Sequence, residues 1–206
     1  MSKVFFSVTV SLDGFMAPDW RTDEQWFAQW MQLQSYVFHQ RFFRRNLKLG
    51  DDGETGVDNR VLEETFDRTG VTILGKRMFD LGERHWPEEA PFHTPVFVVT
   101  RQVREPWVRP GGTTFHFVND GIESALRQAR EAAGDRDVRI GGGAHTIQQY
   151  LNAGLVDEFH VAVAPVLLGA GLRLFDRIDK ERIALEIAET VHSPRVTHLK
   201  YRVTPK

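Results

Sequence analysis

The stretch "RIGGGAHTIQQYLNAGLVDEFHVAVAPVLLGAGLRLF", residues 139 to 175, decides how the rest of the chain is read. The short apolar run that ends at Ile140 meets three consecutive glycines, Gly141, Gly142 and Gly143. A glycine triplet weakens any regular element, so backbone without side chains is needed at this place. The following "AHTIQQYLNAG" has Ile147, Tyr150 and Leu151 on one helical face and Gly154 as its stop. "VDEFHVAVA" then reads as a strand. Strand, glycine turn, helix, strand is the parallel unit of an α/β protein.

Working outward, the same grammar recurs. Lys3 to Val10 reads as a strand, and "SLDGFMAPDW" breaks it with glycine and proline. "DEQWFAQWM" places Trp26, Phe27 and Trp30 on one face of a helix capped by Asp23 or Thr22. That face is expected in the core, although the aromatic segment from Trp20 to Phe43 could also shape a pocket. Asp58 is expected to cap a helix running through Phe66, with Val61, Leu62 and Phe66 inward. "GVTILG", "TPVFVVT" and "TTFHFV" are strands, and "KRMFDLG" a short helix. Asp120 and Glu123 have capping-box spacing ahead of a helix that buries Ile122, Ala125, Leu126 and Ala129. "RIALEIAETV" and "RVTHLKYRV" alternate at period two around an "HSPR" turn, an antiparallel hairpin. Residues 35 to 57 show no clear period.

Composition bounds the function classes. The chain of 206 residues is 41% hydrophobic and 26% charged, which fits one globular domain over 1–206. A net charge of −2 gives no sign of a nucleic-acid partner. The cluster Arg41, Arg44, Arg45 and Lys48 faces the acidic Asp51, Asp52 and Glu54, a solvated face. There is no cysteine, hence no disulfide, cysteine-ligated zinc or cysteine nucleophile. The histidines show no metal-ligand spacing, and no metal is expected; His116 and His160 alternate within strands and read as structural. No signal-peptide layout or bilayer-length apolar run is seen, so a soluble, cytoplasmic protein acting on a small molecule is expected.

Three strand ends carry similar chemistry. "VTILG" passes into Lys76 and Arg77, "VFVVT" into Arg101, and "DVRI" into Gly141 to Gly143. Two are glycine-opened helix N-termini, where free N–H groups and the dipole favour anions. Arginine can fork onto phosphate. Each part alone has an ordinary structural explanation, such as a tight turn or a surface charge. Together they point to a ligand with several phosphates. The pattern is neither G-x-G-x-x-G nor a P-loop.

With "SVTVSLDGFMA", "ILGKRMFD", "VFVVTR", residues 139–175 and the C-terminal hairpin in view, the chain resembles the dihydrofolate reductase-like superfamily. It is most similar to the branch of the riboflavin-biosynthesis reductase, the RibD C-terminal domain. The resemblance implies an α/β fold of three layers, a mixed, mainly parallel sheet flanked by helices with an antiparallel C-terminal strand. It also implies NADPH as cofactor and a homodimer. By position, Gly75, Lys76, Arg77 and Met78 would meet the pyrophosphate and adenosine ribose. Thr100 and Arg101 would flank the 2′-phosphate. Gly141, Gly142, Gly143, Ala144, His145 and Thr146 would wrap the pyrophosphate, the glycine pair carrying a cis peptide. Val8 and Thr9 at the strand's end, with Met16 and Ala17 beyond, would lie by the nicotinamide.

The implied activity is hydride transfer to a pyrimidine- or pterin-like acceptor, at a CH–NH, C=N or C=O group, as in 5-amino-6-(5-phosphoribosylamino)uracil reductase. Asp13 and Asp23 are the candidate catalytic carboxylates; a turn and a helix cap are their structural alternatives. Arg139-Ile140 stands where riboflavin-type reductases often carry glutamate, which argues against carrying over their substrate. The zinc deaminase signature that accompanies such reductases has no counterpart here. A nucleotide-binding protein that kept the cradle without the chemistry is the alternative.

Overall fold

The first strand, β1 (Val4–Ser11), is buried on both faces, which marks it as a central strand. A computed structural model, describing residues 2–19 and 22–206, places it there. The remaining strands are β2 (Phe15–Pro18), β3 (Thr69–Gly75), β4 (Val96–Val99), β5 (Trp107–Val108), β6 (Thr114–Val118), β7 (Asp137–Gly142), β8 (Glu158–Ala164), β9 (Gly171–Arg173), β10 (Ile183–His192) and β11 (Thr197–Pro205). The main sheet runs β10-β11-β8-β1-β7-β3-β4-β6-β5. Its centre, β8 to β6, is parallel; β11 pairs antiparallel with β8, and β10 with β11. The short β5 closes the other edge antiparallel to β6.

The helices are α1 (Asp23–Phe38), α2 (Arg41–Asn46), α3 (Val57–Arg68), α4 (Lys76–Glu83), α5 (Ile122–Ala133) and α6 (Ala144–Asn152). On one sheet face, Val4, Phe6, Val71, Ile73, Val138 and Ile140 pack with Ala125, Leu126 and Ala129 of α5 and Ile147, Tyr150 and Leu151 of α6. On the other, Leu33, Tyr36 and Val37 of α1 meet Ala162 and Ala164, and Phe79 of α4 meets Leu74, Val96, Val98 and Phe115. The three-layer α/β architecture is the one expected.

Several local readings are revised. "SLDGFMAPDW" is not only a break: β2 lies in it and pairs with β9. The first helix extends to Phe38, because the polar residues past Met31 still bury Leu33, Tyr36 and Val37. Thr22 is its cap, accepting from the Gln25 N–H at 3.2 Å. Trp26 is buried, but Phe27 is 39% exposed and stacks on Trp30 and His85. Trp20 lies outside the described residues. In the segment without clear period, α2 is held by ion pairs of Arg44 with Asp52 and Arg45 with Asp51, as the charge pattern suggested.

Asp58 does not cap α3; Gly56 occupies that place without a side-chain bond, and Asp58 is buried. Leu62 and Phe66 are only half-buried, while Thr65 is inside. Asp120 does not cap α5 either: Gly121, at φ +105°, is the N-cap, a conformation that favours glycine.

Candidate functional site

The carboxyl ends of β7, β3 and β4 lie side by side, because Leu74 pairs with Gly142 and Gly75 with Val99. Each end feeds a different part of the candidate phosphate site. Gly142 and Gly143 lead into α6, Gly75 into α4, and Val99 into Thr100 and Arg101. Two helix N-termini are thereby juxtaposed at one sheet edge. The first N–H groups of each lack an intrahelical acceptor, so the edge is rich in donors.

The glycines serve distinct purposes. A Cβ on Gly75 would meet Thr146 Oγ1 at 2.1 Å, so this glycine lets the starts of α4 and α6 dock. Gly141 is closed in by Leu74 and Thr72 at 2.8 and 2.9 Å. Gly142 has φ +115°, and its Cβ would meet Met16 Cε at 2.9 Å. Only beyond Gly143, the N-cap of α6, is there open space: a Cβ there meets nothing within 4 Å. A side chain at Gly142 would therefore meet Met16 first. The Gly142–Gly143 peptide is cis.

Other candidates are placed as follows. Lys76 is drawn into an ion pair with Asp80 at 2.5 Å, while Arg77 is exposed and Met78 packs beside Phe79. Thr100 is buried, and its hydroxyl accepts from the Gln102 N–H at 3.0 Å; Arg101 is exposed. His145 is exposed in the first turn of α6, whereas Ala144 and Thr146 are buried. Val8 and Thr9 do not end β1, which continues to Ser11. Val8 lies in the core, and Thr9 donates to Gln34 Oε1 at 3.0 Å and approaches the Tyr36 hydroxyl at 3.4 Å. Ala17 pairs with Leu172 across β2 and β9, the ribbon that carries Met16 over Gly142.

The Asp13 carboxylate is engaged by three donors. Its carboxylate accepts from the Ser11 hydroxyl at 2.5 Å and from the N–H groups of Leu168 and Gly169 at 3.2 and 2.7 Å. These bonds, Ser11 foremost, hold its pKa at about 2. In this arrangement Asp13 acts as a clasp between its own turn and the backbone at Leu168 and Gly169. The clasp also explains the "LLGAG" motif. Gly169, at φ +72°, presents its N–H to Asp13, and Gly171 passes so close to Ala17 that a Cβ would lie 2.1 Å from its carbonyl oxygen. Asp23 is exposed in the first turn of α1, where a carboxylate complements the helix dipole.

A buried polar chain went unread in the sequence. The Ser7 hydroxyl lies 2.8 Å from His160 Nδ1, His160 Nε2 2.9 Å from His198 Nδ1, and His198 Nε2 2.7 Å from Asp58 Oδ1. One assignment of the ring tautomers satisfies every donor in the chain: Ser7 donates to His160, His160 to His198, and His198 to Asp58. Burial, reinforced by His198, pushes His160 down to about 3. The signal was the inward alternation of His160 and His198, but their partner at position 58 is 140 residues from His198.

With this geometry established, similarity to known proteins becomes informative. The sequence pattern of the RibD C-terminal domain matches residues 2–199. The chain belongs to that family. Among curated proteins, YyaP of Bacillus subtilis (strain 168), itself uncharacterized, is 39% identical over 74 residues, 36% of this chain and 38% of that one. The matched stretch thus spans well under half of that relative's length. A Shewanella sp. PV-4 protein provisionally assigned to riboflavin biosynthesis shares the fold at a TM-score of 0.68 with 20% identity, covering 98% of this chain and 99% of that one. The Enterococcus faecalis dihydrofolate reductase, solved with NADP(H), has a TM-score of 0.55 and 12% identity over 98% and 96% of the two chains. At these identities the structural likeness speaks for the fold. Among the described residues, no helix is long and apolar enough to cross a membrane.

Proposed function

We propose that this protein is an NADPH-dependent reductase that transfers hydride to a small heterocyclic acceptor at a C=N or C=O group, or catalyses the reverse at CH–NH, as a cytoplasmic homodimer. The observation that carries the reading is the pair of helix N-termini at the ends of β3 and β7, with open space beyond Gly143. The residues fit a dinucleotide. Ala144 and His145 offer first-turn N–H groups to a pyrophosphate, and Arg77 and Arg101 are exposed cations at the neighbouring ends. NADPH would supply the hydride, and the chain's work is to hold and orient the reactants.

Titration with NADPH and NADH, followed by tryptophan quenching, tests this. NADPH should bind at least about tenfold tighter, a difference of about 1.4 kcal/mol. Arg101→Ala should remove most of that preference while leaving NADH affinity nearly unchanged. Equal losses for both nucleotides would refute the 2′-phosphate role.

The engagement of Asp13 favours a second reading, a nucleotide-binding protein without turnover, because one of the two candidate acids is occupied by Leu168 and Gly169. NADPH oxidation in the presence of pterin, pyrimidine and flavin acceptors separates the two.

A further inference from the structure

Arg139 stands on β7 with Phe5 of β1 and Thr72 of β3 as its register neighbours. The alternation of β7 turns it away from Val138 and Ile140, which face α5 and α6, toward the layer of α1 and α3. There its guanidinium lies 5.2 Å from the Phe66 ring centre, and Nη2 donates to the Ser7 carbonyl over a long 3.4 Å. Its Nε is sealed from solvent with no acceptor. No carboxylate among the described residues pairs with it. Arg68, on the same side of the sheet, is by contrast held by both Asp137 and Glu158 at 2.6 and 2.7 Å. Desolvation lowers the Arg139 pKa to about 10, so the group is still a cation at neutral pH. A sequestered cation without a counter-ion is costly, and folded proteins pair such groups.

We propose that Arg139 is the anion receptor of the acceptor site, and that the acceptor carries a carboxylate bound by its guanidinium fork. This rests on the reductase reading above. Three points place the receptor at the acceptor and not at the dinucleotide phosphates. Arg139 lies about 10 Å along the strand from Gly142, on the basis of about 3.3 Å per residue. It faces the helix layer opposite to α6. It also shares that face with Thr9, whose hydroxyl lies 3.4 Å from that of Tyr36. A planar carboxylate matches the fork with two parallel N–H···O bonds, which neither a neutral ring nor a lysine reproduces.

The test uses the full chain and two probes of one ring system, orotate and uracil, which differ by a carboxylate. Binding is measured calorimetrically with and without NADPH. Wild type should prefer orotate by at least tenfold, and Arg139→Gln should abolish the preference. Arg139→Lys should retain only part of it. Equal affinity of wild type for both probes, or absence of orotate binding, overturns the proposal, as does a preference that survives Arg139→Gln. A ligand-independent arm guards against a variant that simply misfolds. Arg139→Met should raise the Tm of the free protein by removing the unpaired cation, and a lowered Tm would mean that the guanidinium is a structural strut, overturning the proposal. NADPH affinity, read on the same samples, distinguishes the two failures. Intact NADPH binding without orotate preference removes the receptor alone, whereas loss of NADPH binding in wild type removes the reductase reading.

Discussion

At the scale of single residues, the buried chain from Ser7 to Asp58 makes the sharpest demands. Each member gives its proton to the next, so removing the last acceptor leaves a buried N–H of His198 unsatisfied. Asp58→Ala should therefore lower stability by about 1–3 kcal/mol in urea unfolding, and Asp58→Asn by less, because its amide oxygen still accepts. The pH dependence follows from His160. Its folded pKa of about 3 lies below the ordinary imidazole value of 6.5, so between these values the unfolded chain binds a proton that the folded protein refuses. This contribution to stability is complete above about pH 6.5 and declines as the pH falls toward 3. Between pH 6.5 and 4.5, His160→Asn should flatten the stability profile by up to about 1.4 kcal/mol per pH unit. An unchanged profile would show that His160 is not the neutral link. None of this was legible beforehand, since an inward histidine on a strand does not name its partner, and Asp58 in sequence has the look of a helix start.

Among the secondary-structure elements, the meeting of α4 and α6 is set by one contact. Gly75 and Thr146 touch where the two helices begin, and neither is near the other in sequence. Gly75→Ala should cost about 1–3 kcal/mol through overpacking. Adding Thr146→Ala should recover most of that loss in a double-mutant cycle, because the hydroxyl that obstructs the new methyl is gone. Additive losses would mean that the helices are spaced by something else. The elements themselves were readable where one period ran unbroken: α5 and α6 bury their periodic apolar faces, and the β10–β11 hairpin forms, although Leu185 and Ile187 of β10 are exposed. The readings failed where a local signal competed with a distant one. The Asp-Gly of "SLDG" looks like a simple turn, yet Asp13 is engaged by backbone 155 and 156 residues away. The glycines of "LLGAG" could be recognised as a motif but not as the other half of that clasp.

For the molecule as a whole, the strand order governs what had to be assembled. β1 lies between β7 and β8, and its neighbours along the sheet begin more than 130 residues later. The gross fold was legible because a parallel α/β sheet declares itself through repeated strand–glycine–helix units. The candidate phosphate edge was legible for the same reason, since it falls where the strands of two such units end beside a third strand, β4. The proposed acceptor side was less legible, because no spacing connects Thr9, named as a candidate, with Tyr36 and Arg139. This order also bears on biogenesis. As the polypeptide leaves the ribosome, its first strand emerges with no partner to either side, and Ser7 waits for a histidine that is translated some 150 residues later. β1 thus spends most of the synthesis as an unpaired apolar segment that chaperones can hold. The junction through β1 closes only after β7 and β8 arrive, which favours late, cooperative closure of the sheet over stepwise growth.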